Sequence, residues 1–354
     1  MFDQYGFDHI VIETPEEKER KRRTLKNLFS RLFIALFVYT SLATLLSTAV
    51  YVFAPFFIGE ESFVAILDSS TASVIIGSII QYLICFPIFL AIACHGTKST
   101  ERKEGKKLSI KDFFLLFCIT QLALYVGNTI GTTLNAVIGN TIGKVPENSV
   151  QTIVNEVPIY IIFIFAVVIG PIVEEIIFRR VLIDRMSVFG EHIAIIFSSV
   201  AFGLMHQNLY QFFYATMIGL ILGYVYTVTG NVKYTILLHI IINFIGSIAV
   251  IPVSDAVTVF SELLAAAELG QSIALLDLMV SGTIVLVYST VEAGLVIGGI
   301  IALTDGIRKK KIRIPKNKEI FLPDREIYSN GISNVGALMF IGLSCVFTII
   351  NLFV

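Results

Sequence analysis

The sequence predicts an all-α, polytopic integral membrane protein of about nine transmembrane helices, and three observations carry that reading. Hydrophobic residues make up 55% of the 354 positions and charged residues 15%, where a soluble domain has about 25% charged residues; mean hydropathy is +0.82. Apolar stretches recur near 33–57, 72–94, 113–137, 158–178, 193–209, 211–228, 234–251, 273–303 and 333–354, and a span needs about 20 apolar residues. The cations are also distributed as membrane topology demands. With the N-terminus inside, the cytoplasmic segments are 1–32, 95–112, 179–192, 229–233 and 304–332. They hold 7, 6, 3, 1 and 8 Lys/Arg, or 25 of the 26 in the chain, and only Lys144 falls elsewhere. The external segments 58–71, 207–211 and 252–272 hold none. That bias predicts an N-in, C-out topology.

Taken in order, residues 1–32 read as a basic cytoplasmic N-terminal arm and 33–354 as a single transmembrane domain. The arm has no short apolar core or small-residue cleavage site of a secretory signal. Its run from Lys18 to Arg31 has the composition of a basic helix lying on anionic lipid, and a solvated topogenic arm is the simpler expectation. Cys85, Cys94, Cys118 and Cys345 lie in or beside apolar stretches without metal-ligand spacing and read as packed thiols. In the fourth stretch, Gly170-Pro171 reads as a break, with the proline starting a new helix that runs through Arg179, Arg180 and Arg185 towards Gly190. In the eighth, Gly294, Gly298 and Gly299 form a small-residue face suited to close helix packing. The same stretch carries Glu292, for which pairing with Arg179 or Arg180 is expected, because an unpaired charge in the bilayer is costly. No internal repeat of the inverted-transporter kind is visible.

The chemistry concentrates between 171 and 243. Glu174 and Glu175 adjoin one another inside an apolar helix, where ionisable groups mark function by default. Adjacent helical residues point about 100° apart. Glu175 and Arg179, four apart, share a face in the favourable acid-before-base order. That pairing assigns Glu175 and Arg179 to structural support and leaves Glu174 free to address a cavity as a general base. His206 ends a run from Ile193 whose polar residues are Ser198 and Ser199. His239 and Asn243 lie one turn apart on one helical face and offer an imidazole and an amide to a developing oxyanion; taken alone they read equally as interhelical hydrogen-bonding residues. Counting from the cytoplasmic edge, Glu174 lies about 7 Å deep, His239 about 9 Å and His206 about 21 Å. The mismatch closes if the Glu174 helix continues inward with Arg179 buried beside a wet cavity. No His-Glu-x-x-His, Gly-x-Ser-x-Gly or Gly-x-Gly-Asp motif is present.

Glu174-Glu175-x-x-x-Arg179, Phe202-x-x-x-His206 and His239-x-x-x-Asn243, in that order, resemble the CPBP family of intramembrane proteases, which includes CAAX prenyl endopeptidases and bacterial Abi-type immunity proteins. The resemblance covers about 155–250. It implies an all-helical core with a cavity inside the bilayer and peptide-bond hydrolysis within it. Glu174 would be the activating glutamate and His206 its partner on the attacking water. His239 and Asn243 would complete the site, either by stabilising the oxyanion or by binding a metal. Arg180 departs from the family pattern, where many members carry Gly.

Two chemistries are compatible with this likeness. One is a water activated by Glu174 and His206 with no cofactor, the expectation adopted here. The other is a zinc site built from Glu174, His206 and His239 with one position open. The expected partners are a membrane-associated peptide or lipidated, CAAX-like protein and the lipid bilayer, with no nucleic acid. The family likeness implies a bacterial plasma membrane with the site facing the cytoplasm. The alternatives from other classes are an ion- or proton-coupled transporter and a non-catalytic immunity or scaffold protein.

Overall fold

A computed structural model describes residues 14–67, 69–102, 105–144, 146, 148–314, 320 and 322–353, and among these no strand occurs. Residues 1–13 of the expected arm lie outside the described residues. The helices are α1 (Pro15–Ile58), α2 (Glu60–Leu67), α3 (Ser70–Cys94), α4 (Ile110–Ile142), α5 (Ser149–Glu156), α6 (Ile159–Phe189), α7 (Glu191–Met205), α8 (Leu209–Thr229), α9 (Val232–Glu268), α10 (Leu275–Arg308), α11 (Asp324–Ile332) and α12 (Val335–Phe353). Eight of them are long and apolar enough to cross a membrane. The remaining apolar stretch, 193–209, corresponds to α7, of 15 residues. At 1.5 Å per residue it is about 22 Å long, short of the roughly 30 Å of a hydrocarbon core. It needs no more, because Ile193, Phe197, Ser198, Ala201 and Phe202 are buried in protein.

α1 opens on a capping box in which Glu17 N donates to Thr14 Oγ1 (3.2 Å) and Thr14 N to Glu17 Oε2 (3.1 Å). Leu25, Phe29, Leu32 and Leu36, at helical spacing, are completely buried, so the helix packs into the bundle from Leu25 onwards, with no break at residue 32.

The segments that carry the cations meet at one end of the bundle. Arg22 Nε and Lys18 Nζ donate to Glu326 (2.8 and 2.9 Å), and Arg31 donates to the His95 carbonyl. A strap, of which residues 95–102 and 105–109 are described, lies across α6, α7 and α8. Its Arg102 is almost fully enclosed and bonds Asp184 (2.5 Å) and Glu191 (2.9 and 3.1 Å) beneath the Tyr226 ring. Gly105 N donates to Thr229 O (2.9 Å) and Ile320 N to Val188 O (2.8 Å). Contacts between Ser70 and Glu156, and between Tyr210 Oη and Pro146 O, join the opposite end.

Prolines shape the spans without breaking them. Pro87, Pro171 and Pro252 each closely follow a wide π turn, at Ile80–Cys85, Phe163–Ile169 and Ile245–Ala249. A proline ring clashes with the carbonyl four residues back and lacks an N–H; the wider π turn relieves both problems. The break expected at Gly170-Pro171 is therefore a continuous helix. The segment 252–272, expected as an external loop, is helical to Glu268 for the same reason. On α10 the glycine face is narrower than expected. A Cβ at Gly299 would lie 2.4 Å from the Cys118 carbonyl of α4, whereas one at Gly294 would meet nothing within 4 Å.

Candidate active site

The site forms where α6, α7 and α9 converge. α6 runs unbroken to Gly190, so Glu174 and His206 both lie about 24 Å from that glycine, on α6 and α7 respectively. The depth mismatch closes in this way, and Arg179 is fully buried rather than lipid-facing.

Glu175 and Arg179 are both completely enclosed. Arg179 donates to Glu175 through Nε (2.9 Å) and Nη2 (3.3 Å), and through Nη1 to Ser198 Oγ (3.3 Å). Ser198 in turn donates to the Phe178 carbonyl (2.8 Å), and the guanidinium carbon sits 5.6 Å from the Phe202 ring centroid. A buried ion pair is tolerated only with geometry of this quality, since desolvation costs several kcal/mol per ion. The pair is therefore a fixed frame.

His239 inserts between the two glutamates. Its Nδ1 lies 3.1 Å from Glu175 Oε1, and its Nε2 lies 3.6 Å from Glu174 Oε2. An ionised carboxylate only accepts, so Nδ1 carries the proton shared with Glu175, and Nε2 is the ring nitrogen that faces Glu174. Glu174 is one-fifth exposed, while Glu175 beside it is fully enclosed. Tyr39, Tyr82 and Tyr214 stand within electrostatic reach of Glu174.

His206 caps the end of α7. Its Nδ1 donates to the Phe202 carbonyl (2.8 Å), so Nε2 is the ring nitrogen left for another partner. No hydrogen bond or ion pair joins it to Glu174 among the described residues. The two histidines are held by a common neighbour, Phe202, whose ring centroid lies 4.9 Å from His206 and 5.7 Å from His239, edge-on in both cases.

Asn243 faces a different requirement. The π turn before Pro171 pairs Gly170 N with the Phe165 carbonyl, and the next bond in that register would run from residue 171 to Ala166. Proline has no N–H to give. Asn243 Nδ2 donates to the Ala166 carbonyl instead (2.9 Å). This ties α9 to α6 and leaves one amide N–H uncommitted.

The structure thus brings Glu174, Glu175, Arg179 and His239 into direct contact, places His206 beside them through Phe202, and anchors Asn243 to the α6 backbone. Glu292 does not join them. Arg179 is taken by Glu175, and Arg180 by Asp184 (3.9 Å) and Tyr226 (3.5 Å); Glu292 makes no hydrogen bond or ion pair among the described residues, which corrects the expected pairing. Two features had no assigned role in the sequence: Ser198 as the third ligand of Arg179, and Phe202 as the wall between the histidines. Ser198 was signalled by its polarity in an apolar run. Tyr39 lies 135 positions before Glu174 and carried no sequence signal.

Among the described residues no group of three or more His, Cys, Asp or Glu side chains is arranged to hold a metal ion. Nδ1 of each histidine is committed, His239 to Glu175 and His206 to the Phe202 carbonyl, which leaves both Nε2 atoms open, and no hydrogen bond or ion pair joins His206 to Glu174 among the described residues.

Residues 156–245, which carry all three motifs, match the family described as type II CAAX prenyl endopeptidase, Rce1-like. A Bacillus subtilis (strain 168) protein named "Putative membrane peptidase YdiL" is 30% identical over 172 residues, covering 47% of this chain and 68% of that protein. No solved structure matches.

Proposed function

Because the chain belongs to the Rce1-like family of type II CAAX prenyl endopeptidases, we propose that it is an intramembrane endopeptidase that hydrolyses membrane-associated or lipidated peptides with Glu174 as the reacting carboxylate. The observation that carries this reading is His239 held between the glutamates: Glu175, locked by Arg179, orients the ring, and the ring turns its Nε2 on Glu174.

The roles follow from donor and acceptor capacity. A water beside Glu174 and His206 Nε2 meets two acceptors, one for each of its protons. As its oxygen bonds to the scissile carbonyl carbon, one proton passes to Glu174. The resulting O–H finds an acceptor in His239 Nε2, so the proton is held close until it moves to the leaving nitrogen as the C–N bond breaks. With this tautomer His239 has no Nε2 proton to offer an oxyanion. That role falls to the free N–H of Asn243, whose amide is already fixed by Ala166; one such donor is typically worth about 2.7–4 kcal/mol in the transition state. With the basic segments at the cytoplasmic face, the topology is N-in, C-out and Arg102 lies at the cytoplasmic end of α6 and α7. The family likeness and the Bacillus relative support a bacterial plasma membrane.

The test is cleavage of a quenched fluorescent peptide library, with and without a prenylated cysteine, by purified protein in detergent. Cleavage that survives a chelator is the expected result. Loss of cleavage on chelation with recovery on added zinc would overturn the metal-free mechanism, and no cleavage of any peptide by folded protein would overturn the protease reading.

A further inference from the structure

The mechanism above gives the oxyanion a single donor, Asn243, whereas a tetrahedral intermediate is often held by two. A second donor stands close by, and a glycine admits it. Tyr82 lies in the π turn Ile80–Cys85 of α3 and reaches α6 at Gly170, where a Cβ would sit 3.1 Å from the Tyr82 hydroxyl oxygen. With only hydrogen at that position, the hydroxyl stands over a notch in the surface of α6.

Two other groups come to the same notch. Residues 166, 170 and 174 follow one another in a row along α6, a turn apart. The Ala166 carbonyl points along the axis to the level of residues 170 and 171, and there it accepts from Asn243 Nδ2 (2.9 Å). Glu174 comes from the other side. Helical side chains lean back over the preceding turn, and its Cβ stands about 5–6 Å from the Cβ position of residue 170. The notch is therefore flanked by a phenol from α3, an amide from α9 and the reacting carboxylate of α6.

The phenol is also uncommitted. Tyr51 bonds Ser73 (2.7 Å), Tyr210 the Pro146 carbonyl (3.0 Å) and Tyr226 the Asp184 carboxylate (2.8 and 2.9 Å), as tyrosines shielded from water usually do. Tyr82 makes no hydrogen bond among the described residues, to Glu174 or to any other group. Tyr39 Oη also lacks a partner, but it is sealed in the core; Tyr82 is half-buried and can meet a substrate. The ring alone would serve packing, so the hydroxyl is the part left to explain.

We infer that Tyr82 is a further catalytic residue, the second donor of an oxyanion hole at Gly170 that it shares with Asn243. As the water oxygen bonds to the scissile carbonyl carbon, the π pair of the C=O bond moves onto oxygen. That oxygen accepts from Tyr82 Oη–H and from Asn243 Nδ2–H, and both donors keep their protons. When the intermediate collapses the pair returns, the C–N bond breaks, and the nitrogen leaves with the proton first taken by Glu174. The inference rests on the peptidase reading, and the experiment separates the two.

Tyr82→Phe keeps the ring and strands no partner, so its unfolding midpoint is expected to match wild type. On the peptides of the quenched fluorescent library that wild type cleaves, kcat is expected to fall about 100-fold with KM unchanged. The pH profile of kcat/KM should drop as a whole without moving its limbs, because a donor that keeps its proton leaves the ionisation of Glu174 as it was. Wild-type kcat in folded Tyr82→Phe would overturn the role. So would a change confined to KM, which belongs to a substrate-binding residue, or a displaced acidic limb with the plateau intact, which would make the hydroxyl a modulator of Glu174. A lowered midpoint that accounts for the lost rate would reduce Tyr82 to packing. A folded wild type that cleaves no peptide would reject the peptidase reading itself, and this role with it.

Discussion

α6 and α10 are both long spans with a carboxylate at their midpoint, and they treat it in opposite ways. Half of the most apolar window of α6 is buried in protein, against 6% for α10. Glu175 of α6 is enclosed by Arg179 of its own helix and His239 of α9, with Ser198 of α7 supporting the arginine. Glu292 of α10 has Tyr288 one turn away and no cation at three or four residues in either direction. A carboxylate becomes a fixed, ionised part of the architecture only when three helices supply its partners; one left on a peripheral helix carries no structural load.

The comparison breaks or sharpens under substitution. The largest effect is expected at the frame. Arg179→Met strands Glu175 and should destabilise the protein by about 3–5 kcal/mol, seen as loss of monodisperse protein and a lower thermal unfolding midpoint. Asn243→Ala orphans the Ala166 carbonyl at a cost of about 1–3 kcal/mol. In a Pro171→Ala background the restored N–H should shrink that cost in a double-mutant cycle; an undiminished cost would contradict the proline account. Glu292→Gln should stay within about 0.5 kcal/mol of wild type, and a loss as large as that of Arg179→Met would erase the contrast between the helices.

The smallest effect lies at the exposed end. The hydrogen bond from Arg22, followed by that from Lys18, pushes the Glu326 carboxyl down to about 2. A depressed carboxylate adds stability above its unfolded pKa and loses it as pH falls through the folded one. The stability difference between wild type and Glu326→Gln should therefore be present at neutral pH and fade between the ordinary glutamate range and about 2. Its size is small because the groups are solvent-exposed.

Much of this was legible in the chain. The apolar stretches marked the helices, the cation bias predicted which segments share an end, and the i, i+4 spacing singled out Glu175–Arg179 as the pair. The prolines misled. A Gly170-Pro171 step reads locally as a break, and Ile251-Pro252 reads as the end of a span. What keeps both helices continuous is a π turn, and at Pro171 the freed carbonyl is satisfied by Asn243, 77 positions away. In the basic run at 18–31 the cations dominate the composition, while Leu25 and Phe29 on its other face are completely buried. Glu292 was expected to find a cation because the cost of isolation was weighed without knowing that both arginines were already engaged.

The central claim is that neighbouring glutamates have separate duties, Glu174 reacting and Glu175 framing. The most direct measurement is the rate of peptide cleavage by purified Glu174→Gln, alongside its unfolding midpoint and those of wild type and Glu175→Gln. The account predicts that Glu174→Gln unfolds within about 2 °C of wild type, an effect of about 1.5 kcal/mol at most, yet cleaves at least about 100-fold more slowly, while Glu175→Gln loses folded protein. Wild-type cleavage by folded Glu174→Gln would contradict it.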